Sequence, residues 1–471
     1  MPSLNLPPAF LEMMQNKLKN EYEQFLASVQ YPPTVSIRKN RLKSLSLGLD
    51  LVNFSDVTPV AWCPDGYYLS TRPAFTFDPL FHSGSYYVQE ASSMFVYQYL
   101  KTYMPSTPIR ALDLCAAPGG KSTLLLSSLP NGSLLFSNEI VRQRSQTLKE
   151  NLIKWGNPNI IVTNNSSEDY LHSGIQFDLI LCDAPCSGEG MFRKDPASID
   201  EWNVQNVTMC SHRQREILTN IWQCLKPGGI LLYSTCTYND EEDERNALFI
   251  CKQLGGEPLS IETPSNWGIV THNHDNSLVP SYHFYPHKCK GEGFFICGFQ
   301  KGGSSAGLAK SRIRKNNKQS KKVRVSQRIP TNILNEWITN ASNFSFEQSE
   351  TGSIYAFPKE HFGMLTEATS ALHVIHYGIQ IADIKGKGFK PSHSLAMSSQ
   401  LNINAFEKVE VDLATALSYL RCESQLFSSS SRGFLLVCYK GYPLGFVNNL
   451  GSRANNMYPN EWRIRKAIDF A

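Results

Sequence analysis

Two cysteines stand where a thiol can do chemistry. Cys186 lies in Asp183-Ala184-Pro185-Cys186-Ser187-Gly188-Glu189-Gly190, and Cys236 in Ser234-Thr235-Cys236-Thr237-Tyr238. Each follows an apolar run of strand character, Phe177 to Asp183 in the first case and Ile230 to Tyr233 in the second. The first strand delivers a carboxylate, Asp183, and a proline-stiffened turn then delivers the thiol, with glycines that let the loop wrap a ligand. A single cysteine in such a place is usually a small buried hydrophobe. Two in strand-end turns, one of them beside Asp-x-Pro, read instead as a reactive pair. Cys182, inside its strand, is expected in the core.

A second constellation lies upstream, in Ile109 to Thr123. An apolar strand ending near Asp113 runs through Leu114, Cys115, Ala116 and Ala117 into a tight Pro118-Gly119-Gly120-Lys121 turn. Leu124, Leu125, Leu126 and Leu129 then supply the buried side of a helix. Glycines there let the backbone approach a ligand closely, at the carboxyl end of a strand where open α/β sheets bind cofactors. The string is not G-x-G-x-x-G, and the proline argues against a nicotinamide or flavin. One βα unit later, Ser133 to Asn138 reads as a strand with Glu139 at its end, and Val141, Leu148, Leu152 and Trp155 mark one face of the next helix. An acid at that place can accept hydrogen bonds from both ribose hydroxyls of a nucleoside; the plainer alternative is a helix-start acid.

The elements that must position these residues follow from the texture of the chain. From Ser85 to about Gln300, short apolar strands alternate with helix-length amphipathic runs, the pattern of a parallel α/β sheet. Such a sheet brings Asp183, Cys186, Cys236 and the glycine turn to one edge. The 471 residues exceed one ordinary core, and 41% hydrophobic content excludes a disordered chain. The expected organisation is an N-terminal α+β domain over 1–80, a catalytic domain over 81–300, a linker over 301–330, and C-terminal units over 331–395 and 396–471. An amphipathic helix is expected from Pro8 to Val29, closed by Pro32-Pro33. The linker carries Lys310, Arg312, Arg314, Lys315, Lys318, Lys321, Lys322, Arg324 and Arg328, either as a solvated tether or as a phosphate grip. A strand-turn-strand pattern occupies Gly433 to Val447.

Net charge of +4 is only mildly basic, so composition alone says little about a nucleic-acid partner. No signal peptide and no long apolar run are visible, which makes a cytoplasmic protein without a membrane partner the expectation. Twelve cysteines without paired C-x-x-C knuckles argue against a disulfide framework and a zinc site, so no metal is expected.

The strings around Asp113, Asp183 to Pro196 and Ser234 to Tyr238 resemble the Nop/Sun family of RNA cytosine-5 methyltransferases, in particular its bacterial RsmF-like 16S ribosomal RNA branch. Ser36-Ile37-Arg38-Lys39-Asn40 is similar to the family's early R-x-N segment, and Gly84 to Met94 to its pre-catalytic motif. The C-terminal hairpin resembles that branch's PUA-like module. The resemblance implies a Rossmann-like, class I methyltransferase core that uses S-adenosyl-L-methionine. It implies that Cys115, Ala116, Ala117, Pro118, Gly119, Gly120 and Lys121 form the cofactor loop, that Glu139 takes the ribose, and that Asp183 sits between cofactor and target base. Cys236 is implied to be the nucleophile and Cys186 to assist product release. The implied partner is RNA, first 16S ribosomal RNA or the small subunit and second transfer RNA, with the enzyme a monomer. One departure is Ser166, standing where the family often has an adenine-contacting aspartate, with Glu168 and Asp169 just beyond.

The set has a physical rationale of its own. Carbon 5 of cytosine is a poor nucleophile, and adding a thiolate to carbon 6 makes the ring enamine-like, so that carbon 5 can attack a methyl donor. A protonated Asp183 in a water-poor pocket is expected to relieve charge at ring nitrogen 3. The base must be unstacked, and Arg193 and Lys194 are candidates to position its phosphate. Three other readings stay open: a nicotinamide enzyme, which leaves both cysteines unexplained; an RNA chaperone or assembly factor with a vestigial catalytic domain; and a DNA cytosine methyltransferase, which would use Cys186 as nucleophile.

Overall fold

The computed structural model describes residues 4–49, 54–272, 279–303, 331–386, 388–424 and 431–466. The basic run from Lys310 to Arg328, expected as a linker, lies outside the described residues.

A ten-stranded mixed sheet organises the chain. Its middle is five parallel strands, β1 (Arg110–Asp113), β2 (Leu134–Asn138), β3 (Ile160–Thr163), β4 (Phe177–Asp183) and β5 (Leu225–Thr235), in spatial order β3-β2-β1-β4-β5. The order reverses at β1, so a crevice opens at the carboxyl ends of β1 and β4. Helices α1 (Gly120–Ser128), α2 (Arg142–Trp155), α3 (Val204–Cys224) and α4 (Glu244–Leu254) belong to this unit. Two cores form, one on each face. Ile180 and Cys182 of β4 join Leu218 and Trp222 of α3, while Leu179 and Leu181 join Leu124 and Leu125 of α1. That two-sided burial is why Phe177 to Cys182 reads as a nearly unbroken apolar run. Burying a side chain of this size stabilises by about 1.5–3 kcal/mol, and a one-residue slip would exchange the faces of all four. This is the Rossmann-like core that the sequence led us to expect. The acidic run Asn239 to Glu244 forms a turn, and α4 begins only at Glu244. Val141 is exposed at the start of α2, so the buried face of that helix is Leu148, Leu152 and Trp155.

Several elements cross the expected boundaries. Strand β6 (Phe294–Lys301) runs antiparallel beside β5, and β7 (Val374–Tyr377), from the segment expected as a separate unit, pairs antiparallel with β3. The exposed edge of a parallel sheet is a pairing template, and β7 covers it. Likewise Tyr86–Val88, beyond residue 80, pairs with Val35–Lys39 in the N-terminal four-stranded antiparallel sheet. The C-terminal part holds two more four-stranded sheets, the second built on the expected hairpin, Gly433–Tyr439 and Tyr442–Asn449. The two share one core, in which Ile381, Leu395, Met397, Leu436 and Phe446 meet.

The stretch expected as one N-terminal helix is two, Pro8–Leu18 and Tyr22–Val29, joined by the 3-10 turn Lys19–Glu21. At Lys19 the backbone takes φ 50°, which breaks the helix. The break lets Phe10 and Met14 of one helix and Phe25 and Val29 of the other close over Phe192, Trp202, Tyr238 and Tyr285. Phe192 and Tyr238 belong to the segments that follow Cys186 and Cys236, so these helices back the two cysteine-bearing turns. Among the described residues no helix is long and apolar enough to cross a membrane.

Candidate active site

The register of β4 against β5 sets Asp183 opposite Ser234, and the two turns that follow bring the sulfur atoms of Cys186 and Cys236 within 3.2 Å. The turns are also tied directly, Gly190 N–H donating to the Cys236 carbonyl at 2.8 Å. Glycine is needed at 190: a Cβ there would stand 2.6 Å from the Gly293 carbonyl oxygen. The Cys186 thiol is pushed well above its ordinary range by its hydrogen bond with Cys236, by burial, and by the nearby charges of Cys236 and Glu242. It therefore stays protonated and is a proton donor.

Asp183 does not occupy the water-poor pocket expected for it. About a third of its side chain (32%) is exposed, and Lys121 Nζ lies 2.8 Å from its Oδ2. Its Oδ1 accepts from Ser234 Oγ at 2.7 Å. Burial works to lower the pKa of Lys121, yet the Asp183 carboxylate outweighs it and holds the ammonium charged, with help from Asp113 and Cys236. Lys121, expected simply as part of the cofactor loop, is thus the cation paired with Asp183 at these strand ends, within electrostatic reach of Cys236.

The glycine turn is held from several directions. Ala116 N–H donates to the Asn138 carbonyl at 2.8 Å, Arg144 reaches the Ala117 carbonyl at 3.0 Å, and Asn151 the Pro118 carbonyl at 2.8 Å. Gly119 sits at φ 117°, a left-handed conformation that favours glycine, and Gly120 opens α1. Arg38, from the R-x-N segment, is fully buried under this helix; it donates to Thr123 Oγ1 at 2.6 Å and Gln89 Oε1 at 2.8 Å and stacks on Trp155. Cys115 lines the turn but is held as a thiol by Cys182 and by burial.

S-adenosylmethionine is the group this site was expected to hold, and the donor set fits it. Its sulfonium, ammonium and ribose diol call for carboxylates. Glu139, at the end of β2, is almost buried, its Oε1 taken by Val141 N–H at 2.9 Å and its Oε2 3.7 Å from Arg144. Asp113 is fully buried; Ser122 donates to its Oδ2, and among the described residues its Oδ1 has no partner, an orphan that a ligand's N–H would satisfy. Burial pushes the Asp113 carboxyl up to about 7 against the Ser122 hydrogen bond, with Asp183 and Glu139 adding to the rise. Three acids facing one turn suit a cation.

Some expectations are corrected and some residues were missed. Arg193 is not a phosphate group: it is buried in a two-point ion pair with Glu292, at 2.8 and 2.7 Å, and also donates to the Ser28 and Gly291 carbonyls. Lys194 remains exposed. Ser166 and Asp169 form a capping box on the helix Ser167–Ser173, a structural use of both. Asp113 was visible only as the end of a strand. Glu189 and Glu242, both buried beside the thiol-bearing turns, were not singled out by the sequence.

Comparisons with known proteins agree along the whole chain. The family model described as 16S rRNA methyltransferase RsmB/F matches residues 102–300, the N-terminal domain of 16S rRNA methyltransferase RsmF matches 6–91, and the methyltransferase RsmF PUA domain matches 406–464. The chain is 30% identical to ribosomal RNA small subunit methyltransferase F of Cronobacter sakazakii, over 100% of this chain and 98% of that protein. It is 29% identical to the protein of the same name from Enterobacter sp. strain 638, over 98% and 96%. Among solved structures, a methyltransferase homolog protein from Pyrococcus horikoshii is similar at TM-score 0.54 and 27% identity, covering 63% of this chain and 96% of that one. With its full length aligned and three family models in register with the sheet and modules described above, the chain belongs to the ribosomal RNA small subunit methyltransferase F family.

Proposed function

We propose that the enzyme methylates carbon 5 of a cytosine in 16S ribosomal RNA, with Cys236 bonding reversibly to carbon 6 of the ring and Cys186 assisting release of the product. The observation that carries this reading is the juxtaposition of the two sulfur atoms, 3.2 Å apart at the ends of adjacent parallel strands and beside the Lys121–Asp183 pair. The Lys121 ammonium interacts with Cys236, and the hydrogen bond from Cys236 together with burial pushes the Cys186 thiol up.

S-adenosylmethionine, when bound at the glycine turn, supplies an electrophilic methyl group. The chain does the rest. Gly119 and Gly120 admit the ligand's close approach, Glu139 accepts from its ribose, and the Asp113 Oδ1 orphan accepts an N–H. Cys236 Sγ adds to carbon 6, which raises electron density at carbon 5. The proton required at ring nitrogen 3 is held by the Lys121–Asp183 pair, and this replaces the protonated aspartate expected from sequence. After transfer, water takes the carbon-5 proton as the carbon–sulfur bond breaks, and the Cys186 thiol, in contact with Cys236, is placed to protonate the departing sulfur. The base reaches the edge only when unstacked, so single-stranded or remodelled RNA is the substrate form.

Mass-spectrometric mapping of 5-methylcytosine in small-subunit RNA from cells with and without the gene tests the reading. Loss of the mark at one or more cytosines is expected. An unchanged 5-methylcytosine map, or loss of a methyl group at another atom, rejects it.

A further inference from the structure

Side chains from outside the methyltransferase segment support the glycine turn. Val35–Lys39 and Tyr86–Val88 are paired strands of the N-terminal sheet, inside the residues that match the N-terminal family domain, and their register sets Arg38 opposite Tyr87. Both reach the start of α1. Arg38 Nη2 donates to Thr123 Oγ1 at 2.6 Å, its Nε to Gln89 Oε1 at 2.8 Å and its Nη1 to Ser127 Oγ at 3.4 Å, while the guanidinium lies 4.6 Å from the centre of the Trp155 ring. Gln89 is oriented in turn, its Nε2 donating to Ser93 Oγ at 3.1 Å. Thr123 is fully buried. Its hydroxyl accepts from Arg38, which leaves its one proton for a carbonyl of the turn, that of Gly119 at 2.9 Å or of Gly120 at 3.0 Å. The same strands close on the turn sterically: a Cβ on Gly120 would stand 3.4 Å from Tyr87 Cε1 and 3.6 Å from Gln89 Cδ.

Arg38 is 1% exposed, and among the described residues it makes no ion pair; its hydrogen-bond acceptors are all neutral. A buried cation without an anion is costly, and one beside the first turn of a helix works against the helix dipole. An apolar side chain could fill the space without that desolvation cost, so packing alone does not account for an arginine. What the planar fork adds is direction: it holds Gln89, Thr123 and Ser127 at once and aims the Thr123 hydroxyl at the turn. A turn built on two glycines has conformations to lose when it binds a ligand, and anchoring its carbonyls beforehand lowers that loss. We propose that Arg38 is a positioning residue for S-adenosylmethionine binding, holding the Gly119–Gly120 backbone, through Thr123, in the form that receives the donor. The inference rests on the reading that this turn holds the donor. It makes cofactor affinity depend on a residue of the N-terminal domain that touches no reacting atom.

The test is a double-mutant cycle on the full chain, read as S-adenosylmethionine affinity by calorimetry. Arg38→Met and Thr123→Val each remove one end of the link, and each is expected to raise Kd about tenfold, the contribution of one hydrogen bond. The double variant is expected to lose no more than the larger single loss, because either change alone breaks the link. Thr123→Ser keeps the hydroxyl and is expected to bind as the parent does. A side chain that only fills space gives a different pattern, a loss that adds to that of Thr123→Val and is read in the melting temperature instead of Kd. Unchanged affinity in Arg38→Met or in Thr123→Val, losses that multiply in the double variant, or Thr123→Ser as weak as Thr123→Val overturns the proposal. Should Arg38→Met fail to fold, Thr123→Val against Thr123→Ser still decides. Glu139→Ala, measured alongside, separates this inference from the reading beneath it. Weakened binding there beside a parent-like Arg38→Met rejects the role of Arg38 alone, whereas parent-like binding in Glu139→Ala rejects the turn as the donor's site.

Discussion

Replacing Arg193 by methionine separates a structural cation from an RNA contact. The guanidinium is 9% exposed and its partner Glu292 4%, joined by two bonds of 2.8 and 2.7 Å, with two backbone carbonyls completing the set. Removing the arginine leaves the Glu292 carboxylate buried without its cation, and breaking such a pair costs about 3–5 kcal/mol. Most of that cost is the stranded charge and not the pair itself. Arg193→Met with Glu292→Leu is therefore expected to recover most of the loss, giving a coupling of about 3 kcal/mol in a double-mutant cycle. The assay is the melting transition of the four proteins, together with RNA affinity of parent and Arg193→Met across a salt series. Losing a phosphate contact lowers the slope of log affinity on log salt by about one; losing a buried strut does not change it. A variant as stable as the parent but with that lower slope would refute the placement of Arg193 and return it to the RNA surface.

Two further expectations concern the site itself. The Asp113 carboxyl, raised to about 7 by burial, is protonated in the folded state over pH values where the unfolded chain is ionised, so stability contributed by that proton is present at low pH and lost as pH rises through 7. A cationic ligand prefers the ionised form, so calorimetry should show S-adenosylmethionine affinity rising through pH 7 in the parent and flat in Asp113→Asn; a flat parent profile contradicts the cradle. Diamide should convert the Cys186 and Cys236 thiols, already 3.2 Å apart, to a disulfide, each giving up a proton and an electron to the reagent. Activity should be lost and then restored by dithiothreitol, and inactivation mapped to any other pair of cysteines refutes the geometry.

Much of the candidate site was legible because its signals are local. The run Phe177 to Asp183 is apolar without alternation because β4 is covered on both faces, and Pro118-Gly119-Gly120 marks a turn whose φ 117° only glycine takes easily. What escaped depends on pairing distant in sequence. β7 is four residues that gain a place only by covering the open edge of β3, more than two hundred positions earlier. Lys121 looked like a ligand-binding lysine, and its partner Asp183 is chosen by the β1–β4 adjacency, which spacing alone does not give. Arg193 looked like a surface cation because Glu292, which buries it, lies a hundred residues downstream. The Pro8–Val29 periodicity hid a break because Lys19 carries no turn chemistry of its own; closure over Phe192 and Tyr238 imposes it.

The most direct trial of the covalent step is a denaturing gel of the Cys186→Ala and Cys236→Ala variants after incubation with small-subunit RNA and S-adenosylmethionine. A slow-migrating protein–RNA band from Cys186→Ala, and none from Cys236→Ala, is expected, since the first can form the carbon–sulfur bond but not resolve it. The band arising from Cys236→Ala, or full turnover by that variant, would contradict the assignment of the nucleophile.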